Sequence, residues 1–422
     1  MKFLKNFDLN YFITLFFLLL SSNANFLVVS TPIWYAIFGI FLVIAIYQKR
    51  FEKKDLVHIA IFTGVYLLVI AFRDTLLNEL DTDYLVADYL FLVRFIYLSF
   101  IYCMLLKERL LANIVKVMTH LTVVSFFFYA FQLLSSDNLF AITSSLKLPN
   151  GNDLPGYSNI VIYTYTQGFH DFSNSGFVWE PGAFGCFLVI SLMFHFFLNK
   201  FSFDATAVIL IIGNITAFST TNYLALIILF FLVYRYRVPR INIWVLILIP
   251  SIIIAFFTIP FLADKIVATY KEDMDDLNNL RVLERWYRHH RMQVPLNRFS
   301  SAVYIWDNFG DKMFLGVTNR YNDILNKQYK VNISNGLFDF LAKFGIAGLL
   351  YFLYRYLRFC AKFMKNGEQV IYCLLIILVA SFGEPILAIP FTLIFLFVTR
   401  DQVRFSSINL ERTANRKKIL TP

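Results

Sequence analysis

Glu180 is the first residue whose type and position suggest chemistry. It stands in the segment Gly-Phe-Val-Trp-Glu-Pro-Gly-Ala-Phe-Gly, residues 176–185, at the start of an apolar stretch. Pro181 suits the first turn of a helix, because the N–H that proline lacks has no helical partner there. Glu180 is therefore expected at a helix N-terminus, where the dipole favours an anion. Its carboxylate could accept a proton or orient a hydroxyl group; the alternative is that it only caps the helix.

An arginine-rich segment suggests a second chemical role. Arg281, Arg285 and Arg288 recur at helical spacing and would share one face, with Glu284 placed to pair with Arg288. Guanidinium groups hold phosphate oxygens through paired hydrogen bonds, so the segment predicts a diphosphate-binding site. The arginines of this predicted site are Arg281, Arg285, Arg288, Arg291 and Arg298. The alternative is an amphipathic helix that is solvated or binds lipid headgroups.

Further polar residues lie inside or at the ends of apolar stretches. Ser334 or Asn335 is expected to cap the helix that follows, and Asn335 is also a candidate for substrate binding. Arg94 lies inside an apolar stretch, where a charge normally faces a polar cavity or a partner; the alternative is that it reaches an interface. Glu384 is followed by proline, as Glu180 is, at another predicted hairpin.

The composition shows what kind of element must position these residues. Of 422 residues, 58% are hydrophobic and 16% are charged, and the mean hydropathy is +0.62. A soluble domain carries about 25% charged residues, so a soluble enzyme, a nucleic-acid-binding module and a disordered chain are excluded. The net charge of +10 is expected from basic loops that set membrane topology, and no nucleic acid is predicted as a partner.

The apolar stretches predict an all-α, polytopic membrane helix bundle of about twelve transmembrane helices. The predicted spans are 9–28, 31–47, 56–72, 84–106, 110–134, 179–198, 205–221, 222–234, 241–262, 336–357, 369–383 and 385–400. Basic residues of the short connections fall on one side, which predicts that both termini are cytoplasmic. Charge within the spans is expected to be nearly confined to Arg94.

This topology divides the chain into four parts. Spans one to nine fill residues 1–262, with an outer loop near 135–178. Residues 263–335 form a long, partly helical extracytoplasmic loop, residues 336–400 hold spans ten to twelve, and 401–422 form a cytoplasmic tail. Function is expected on the long outer loop, because sites concentrate on loops that a rigid scaffold positions. The sequence contains no HExxH, P-loop or GxSxG motif, and neither a cofactor nor a metal is predicted.

The Glu180-Pro181-Gly182 segment at the start of a span, followed by a long outer loop, resembles the oligosaccharide repeat-unit polymerases. These are the Wzy-type O-antigen and capsule polymerases, which are related to the O-antigen ligases. Residues 180–184 look like the family's E-P-x-x-F segment, 298–316 are similar to its loop pattern, and 335–346 to its loop exit. Residues 219–225 are similar to its S-x-T-x-x-L-A stretch, although the arginine that many relatives carry there is missing.

The resemblance implies a glycosyltransferase on the outer face of the cytoplasmic (inner) membrane. The donor would be a glycan on undecaprenyl pyrophosphate, the acceptor one lipid-linked repeat unit, and a chain-length regulator a candidate partner. Arg298, followed by Arg281 and Arg285, would stabilise the leaving pyrophosphate without a metal, and Glu180 would activate or orient the acceptor hydroxyl. Ligases typically place a histidine where this chain has Ser334, which favours a polymerase.

Other functions stay open on the sequence. An O-antigen ligase would use the same donor with a lipid A core acceptor. A lipid-linked oligosaccharide flippase would spread charged residues through many spans. A metal-dependent glycosyltransferase that uses polyprenyl-phosphate sugars would need an acidic pair in the first outer loop, and residues 22–30 contain no acid. A structural membrane protein is the remaining alternative.

Overall fold

The computed structural model describes residues 8–76, 82–149, 156–238, 260–289 and 293–398. It is 76% helical and has four strands of three residues each in this part of the chain. The predicted all-α class is therefore confirmed. The predicted tail over 401–422 and nearly all of the predicted span over 241–262 lie outside the described residues.

The first half of the chain is a series of apolar helices joined by short connections. In chain order they are α1 (Leu9–Ser21), α2 (Phe26–Val29), α3 (Thr31–Tyr47), α4 (Lys53–Leu76), α5 (Thr82–Phe91), α6 (Leu98–Leu106), α7 (Leu110–Leu134) and α8 (Ser136–Ser145). A π-helical turn (Leu92–Tyr97) joins α5 to α6. An antiparallel pair, β1 (Tyr157–Asn159) and β2 (Thr164–Thr166), follows α8.

The second half has longer helices on either side of a compact loop. Its helices are α9 (Pro181–Leu198), α10 (Ala205–Thr216), α11 (Thr220–Arg237), α12 (Pro260–Asn278), α13 (Leu280–His289), α14 (Arg298–Phe309), α15 (Tyr321–Leu325), α16 (Gly336–Cys360), α17 (Gly367–Gly383) and α18 (Pro390–Leu393). The strand β3 (Val294–Leu296) pairs in parallel with β4 (Val331–Ile333).

Several of these helices are long and apolar enough to cross a membrane. Four segments meet this criterion among the described residues: Lys53–Thr75, Thr82–Leu134, Pro181–Leu198 and Gly336–Cys360. Shorter apolar helices, α1, α3, α10 and α17, accompany them. The polytopic membrane bundle is confirmed, whereas the count of about twelve spans stays a prediction.

Several predicted spans are not continuous helices. The span over 205–221 breaks between α10, which ends at Thr216, and α11, which begins at Thr220. The span over 9–28 breaks between α1 and α2, where the Asn25 side chain donates to the Leu19 carbonyl (3.0 Å) and accepts from the Leu27 N–H (2.9 Å). Asparagine side chains compete in this way with helical backbone bonds. Over 385–400 the structure has only α18 and a 3₁₀ turn (Ile394–Leu396), because Pro385 and Pro390 cannot donate helical hydrogen bonds.

Buried charges at the ends of α4 and α5 join the long loop to the bundle. Arg73 donates to Asp74 (2.8 Å), to Asp88 of α5 (3.2 Å) and to the Thr318 hydroxyl (2.6 Å). The side-chain amide of Asn319 also donates to Asp88, at 2.5 Å. Arg73, Asp74 and Asp88 are at most 3% exposed. The expectation that charge within the spans is nearly confined to Arg94 is therefore wrong. Asp88 also lies inside a predicted span, where it forms an ion pair with Arg73.

We expect Asp88→Ala to destabilise the protein by about 3 kcal/mol, because it leaves the buried Arg73 with fewer partners. Thermal unfolding of detergent-extracted protein measures the effect. Glu52→Ala is the control, because Glu52 pairs with Lys54 and Lys107 at an exposed site and exposed ion pairs contribute little. Equal melting temperatures for the two variants would contradict the role of this network.

The long loop has an apolar core of its own. Its buried members include Leu280, Val294, Leu296, Tyr304, Ile305, Phe309, Met313, Val317, Tyr321, Leu325 and Val331. The parallel pairing of β3 with β4 places the start of α14 beside the start of α16, because each strand directly precedes one of these helices. The predicted partly helical loop is confirmed as a compact unit.

Two glycines let the loop backbone contact the backbone of α16. Gly316 and Gly345 have φ values of +75° and +72°, in the region that favours glycine. A Cβ on Gly316 would lie 2.5 Å from the Gly345 nitrogen. Gly345 also interrupts the helical geometry of α16. The loop is therefore docked at a kink in α16, about two and a half turns from the start of that helix.

Candidate active site

Glu180 lies directly before α9, and its side chain makes no capping hydrogen bond to that helix. Its backbone carbonyl accepts from the Phe184 N–H at 3.1 Å, which leaves the carboxylate available for other contacts. Trp179 Nε1 donates to Glu180 Oε1 at 2.6 Å. The carboxylate is half-buried, at the end of the bundle where α9 and α16 begin and α17 ends. We call this end the site end.

Glu384 supplies a second carboxylate at the site end. It follows α17 directly, is 5% exposed, and lies close enough to Glu180 for the two carboxyl groups to influence each other. Glycines surround it closely: a Cβ on Gly182 would lie 1.7 Å from Glu384 Oε1, and one on Gly336 would lie 2.0 Å from the Glu384 carbonyl oxygen. The absence of side chains at these two positions is therefore what makes room for Glu384.

Arg298 brings a positive charge to the two glutamates. Burial raises the pKa of Glu384 well above its ordinary value, the neighbouring Glu180 raises it further, and Arg298 lowers it. Arg298 Nε is buried and has no hydrogen-bond partner among the described residues. Arg298 begins α14, whose first turn is held by Asp273, since the Asp273 carboxylate accepts from the Phe299 N–H at 3.1 Å. A buried, unused guanidinium donor is suited to binding an anion.

Asn335 joins the arginine to the helix that begins at the site end. Its Oδ1 accepts from the Phe338 N–H at 3.1 Å, and its Nδ2 donates to the Arg298 carbonyl at 3.0 Å. The predicted cap is thus confirmed for Asn335. Ser334 instead donates to the Leu296 carbonyl at 2.9 Å, which ties the loop exit to β3.

Asn335→Ala is expected to lower the reaction rate about tenfold and the stability by about 1 kcal/mol. Both losses have a structural reason, since the variant removes the α16 cap and releases the Arg298 carbonyl. Asn366→Ala is the matched control, because Asn366 caps α17 through the Gln369 N–H at 3.1 Å at the opposite end of that helix. The control should lose similar stability but no activity per amount of protein; equal activities for both variants would contradict the role of Asn335.

Comparison with known families gives one match, which covers residues 205–353 and is described as O-antigen ligase. These residues form a domain of the O-antigen ligase/polymerase superfamily. Enzymes of this family are of glycosyltransferase type, and the family together with the apolar helices identifies a membrane protein. No curated protein and no solved structure matches the chain.

The O-antigen ligase-type domain contains only part of the site. Arg298 and Asn335 lie inside residues 205–353, whereas Glu180, Glu384 and Arg94 lie outside. Glu180, Glu384, Arg298 and Asn335 lie together at the site end. The helices next to the two glutamates, α9 and α17, both pack against α11, which belongs to the domain. The candidate active site is therefore built between the matched domain and the helices on either side of it.

Asn222 of the O-antigen ligase-type domain holds the start of α9 in place. Its Nδ2 donates to the Gly182 carbonyl at 2.6 Å, and its Oδ1 accepts from Cys186 at 3.2 Å. A Cβ on Gly185 would lie 2.2 Å from Asn222 Nδ2. The stretch that lacks the arginine of many relatives thus has a fully buried asparagine that positions the helix behind Glu180.

The remaining predicted arginines of the loop lie on or after α13. Arg281, Arg285 and Arg288 are exposed, and Arg288 pairs with Glu284, as the spacing predicts (Nε to Oε1, 2.8 Å). No hydrogen bond or ion pair joins Arg281 or Arg285 to another residue in the described ranges. Arg291 lies outside the described residues. A diphosphate site made of these arginines stays a prediction.

Arg94 lies in the π-helical turn between α5 and α6. Its Nη2 donates to the Thr31 hydroxyl at 2.9 Å, and its guanidinium carbon lies 5.7 Å from the ring centroids of Trp34 and of Tyr35. It lines a small cavity with Pro390. Contacts of this kind stabilise a cation in an apolar setting; a role in binding substrate stays a prediction.

Three residues in or near this cluster could not be assigned to the site from the sequence. Glu384 was marked only by its proline, and its contact with Glu180 depends on how α9 and α17 pack. Asp273 and His170 carried no signal. His170, which is close enough to Glu180 to be influenced by its charge, has a pKa lowered chiefly by burial, whereas Glu180 and Asp171 oppose that shift. Its imidazole is therefore neutral at neutral pH.

Proposed function

We propose that this protein is a polysaccharide polymerase that joins undecaprenyl-pyrophosphate-linked oligosaccharide repeat units on the outer face of the cytoplasmic membrane. The observation that carries the proposal is the cluster of Arg298, Glu180 and Glu384 at one end of an apolar helix bundle, within and beside an O-antigen ligase-type domain. A lipid-linked donor would keep its chain in the bilayer and present its pyrophosphate at this end.

The reaction transfers a glycan from the lipid pyrophosphate to a sugar hydroxyl. The hydroxyl oxygen forms a bond to the anomeric carbon of the donor, and the bond from that carbon to the phosphate oxygen breaks with its electron pair. Undecaprenyl pyrophosphate leaves, and the hydroxyl proton passes to Glu180. The unused Nε–H of Arg298 stabilises the negative charge that develops on the leaving group.

The other predicted arginines extend this site in the proposal. Arg281, Arg285, Arg288 and Arg291 attract and hold the pyrophosphates of the two lipid-linked substrates, and Asn335 positions Arg298. Arg94 binds substrate from the helix-bundle side of the site. The energy of the glycosyl-pyrophosphate bond drives the step, so no nucleotide is part of the proposed reaction, and Arg298 takes the charge-stabilising role that a metal ion could otherwise have. Both termini are cytoplasmic in this arrangement.

An O-antigen ligase is the second candidate, because the matched family carries that description. It would use the same donor and the same Arg298 and would transfer the finished chain to another acceptor. Ser334 favours the polymerase: where the resemblance expects a histidine in ligases, the Ser334 hydroxyl is engaged with the Leu296 carbonyl and holds the loop to β3.

Deleting the gene and separating the surface glycan and the lipid-linked pool on gels tests the proposal. A polymerase predicts that long chains vanish and a single-repeat unit accumulates on the lipid at the outer leaflet. Long chains that stay on the lipid would identify a ligase, and single units confined to the cytoplasmic leaflet would identify a flippase. An unchanged pattern would contradict a role in glycan assembly.

A further inference from the structure

The two glutamates of the site lie close enough together for a proton to join them. The Glu384 carboxyl group packs against Gly182, two residues from Glu180, and the two side chains influence each other's charge. Two carboxyl groups can form a hydrogen bond only when one of them is protonated. The Glu384 side chain has little room to withdraw, and a hydrogen bond holds that of Glu180. Glu384 lies against the Cα of Gly182 and is 5% exposed, and Trp179 Nε1 holds Glu180 at 2.6 Å.

We propose that Glu384 is a positioning residue that keeps its proton and donates it in a hydrogen bond to the carboxylate of Glu180. The expected effect on the rate of glycan transfer rests on the proposed function, whereas the assignment of a proton to Glu384 does not. Glu384 would thus act through Glu180, which it holds in one orientation together with Trp179. Only one negative charge then stands beside Arg298, so Glu180, Glu384 and Arg298 together are neutral before an anionic substrate enters.

The groups around Glu384 support this assignment of the proton. Glu180 and Cys186 face it from α9 and its N-terminus, and Arg298 faces it from α14. Burial is the largest influence on the pKa of Glu384 and raises it, Glu180 acts in the same direction, and Arg298 opposes both. His170 is close enough to Glu180 to be influenced by its charge, and burial lowers the pKa of its imidazole. Glu180 is half-buried, whereas Glu384 is 5% exposed, so Glu384 is the more enclosed of the two.

Two substitutions distinguish the effect of the Glu384 proton from the effect of losing the whole side chain. Glu384→Gln replaces the acid O–H with an amide N–H, which can still donate to Glu180 but does not titrate. Glu384→Ala removes the donor. Purified wild-type protein and both variants are assayed for chain extension across pH, with lipid-linked repeat units extracted from the deletion strain as the probe.

We expect Glu384→Gln to extend chains at a rate within about tenfold of wild type, and Glu384→Ala to lose about 10²-fold. The wild-type rate should fall at alkaline pH as Glu384 loses its proton, and this fall should be absent with glutamine. A Gln variant as slow as the Ala variant, or an alkaline fall that persists with glutamine, would overturn the proposal.

Infrared spectroscopy tests the proton without any assay of activity. The C=O stretch of a protonated carboxylic acid should be present in purified protein at neutral pH, be lost in Glu384→Gln, and be kept in Glu272→Gln, because Glu272 is exposed. A spectrum unchanged by Glu384→Gln would overturn the proposal. If the band behaves as expected but wild-type protein extends no chains, the proposed polymerase function fails and the assignment of the proton stands.

Discussion

Arg298→Ala is expected to abolish long glycan chains and to leave single repeat units on their lipid carrier, with a normal amount of protein in the membrane. Removing one group that stabilises developing charge commonly slows a reaction about 10²–10³-fold. Arg298 is the candidate for this role because its buried Nε has no partner among the described residues and because its charge acts on Glu384. The chain-length ladder of the surface glycan, read after complementation of a deletion strain, measures the effect.

Two further variants sharpen this test. Arg298→Lys keeps the charge but loses the planar, two-donor geometry that matches phosphate, so its chains should be shorter and fewer than those of wild type. Arg358→Ala is the matched control, because Arg358 is an exposed arginine near the opposite end of α16 that donates to Tyr354 at 3.0 Å. A normal ladder in Arg298→Ala would remove this residue from the mechanism.

The sequence predicts much of the scaffold because long apolar helices carry a strong local signal. The bounds of α7 coincide with the predicted span over 110–134, and α16 begins where the polar turn at Asn335 predicts a start. The Glu284–Arg288 pair follows from helical spacing alone. These features depend on residues within one or two turns of each other, which is the range that pattern and capping chemistry describe.

The rest of the site depends on contacts between distant parts of the chain. Glu384 meets Glu180 across about two hundred residues of sequence, because α9 and α17 both pack on α11. The buried ion pair of Arg73 and Asp88 could not be predicted for the same reason. The contact of Arg73 with Thr318 in the distant loop is part of what stabilises this buried charge. The proline-interrupted segment over 385–400 read as a span because hydropathy does not register the loss of backbone donors.

Gly182→Ala is expected to reduce chain extension about 10²-fold, comparable to the loss of Glu384 itself. The new Cβ would lie 1.7 Å from Glu384 Oε1 and 2.6 Å from its carboxyl carbon, and the Glu384 side chain is buried with little space to move. Either the carboxyl group leaves Glu180 or the start of α9 shifts, and both outcomes disrupt the contact between the two glutamates. Chain-length analysis and thermal unfolding in detergent measure the two effects together.

The control and a double variant isolate the cause. Gly367→Ala also places a methyl group in the first turn of a helix, but a Cβ there meets nothing within 4 Å, so its activity and melting temperature should match those of wild type. Combining Gly182→Ala with Glu384→Ala removes the obstructing carboxyl group. The double variant should recover the stability lost by Gly182→Ala and remain as inactive as Glu384→Ala alone, because neighbouring residues couple non-additively. Strictly additive losses of stability would show that Gly182 serves α9 in some way unrelated to Glu384.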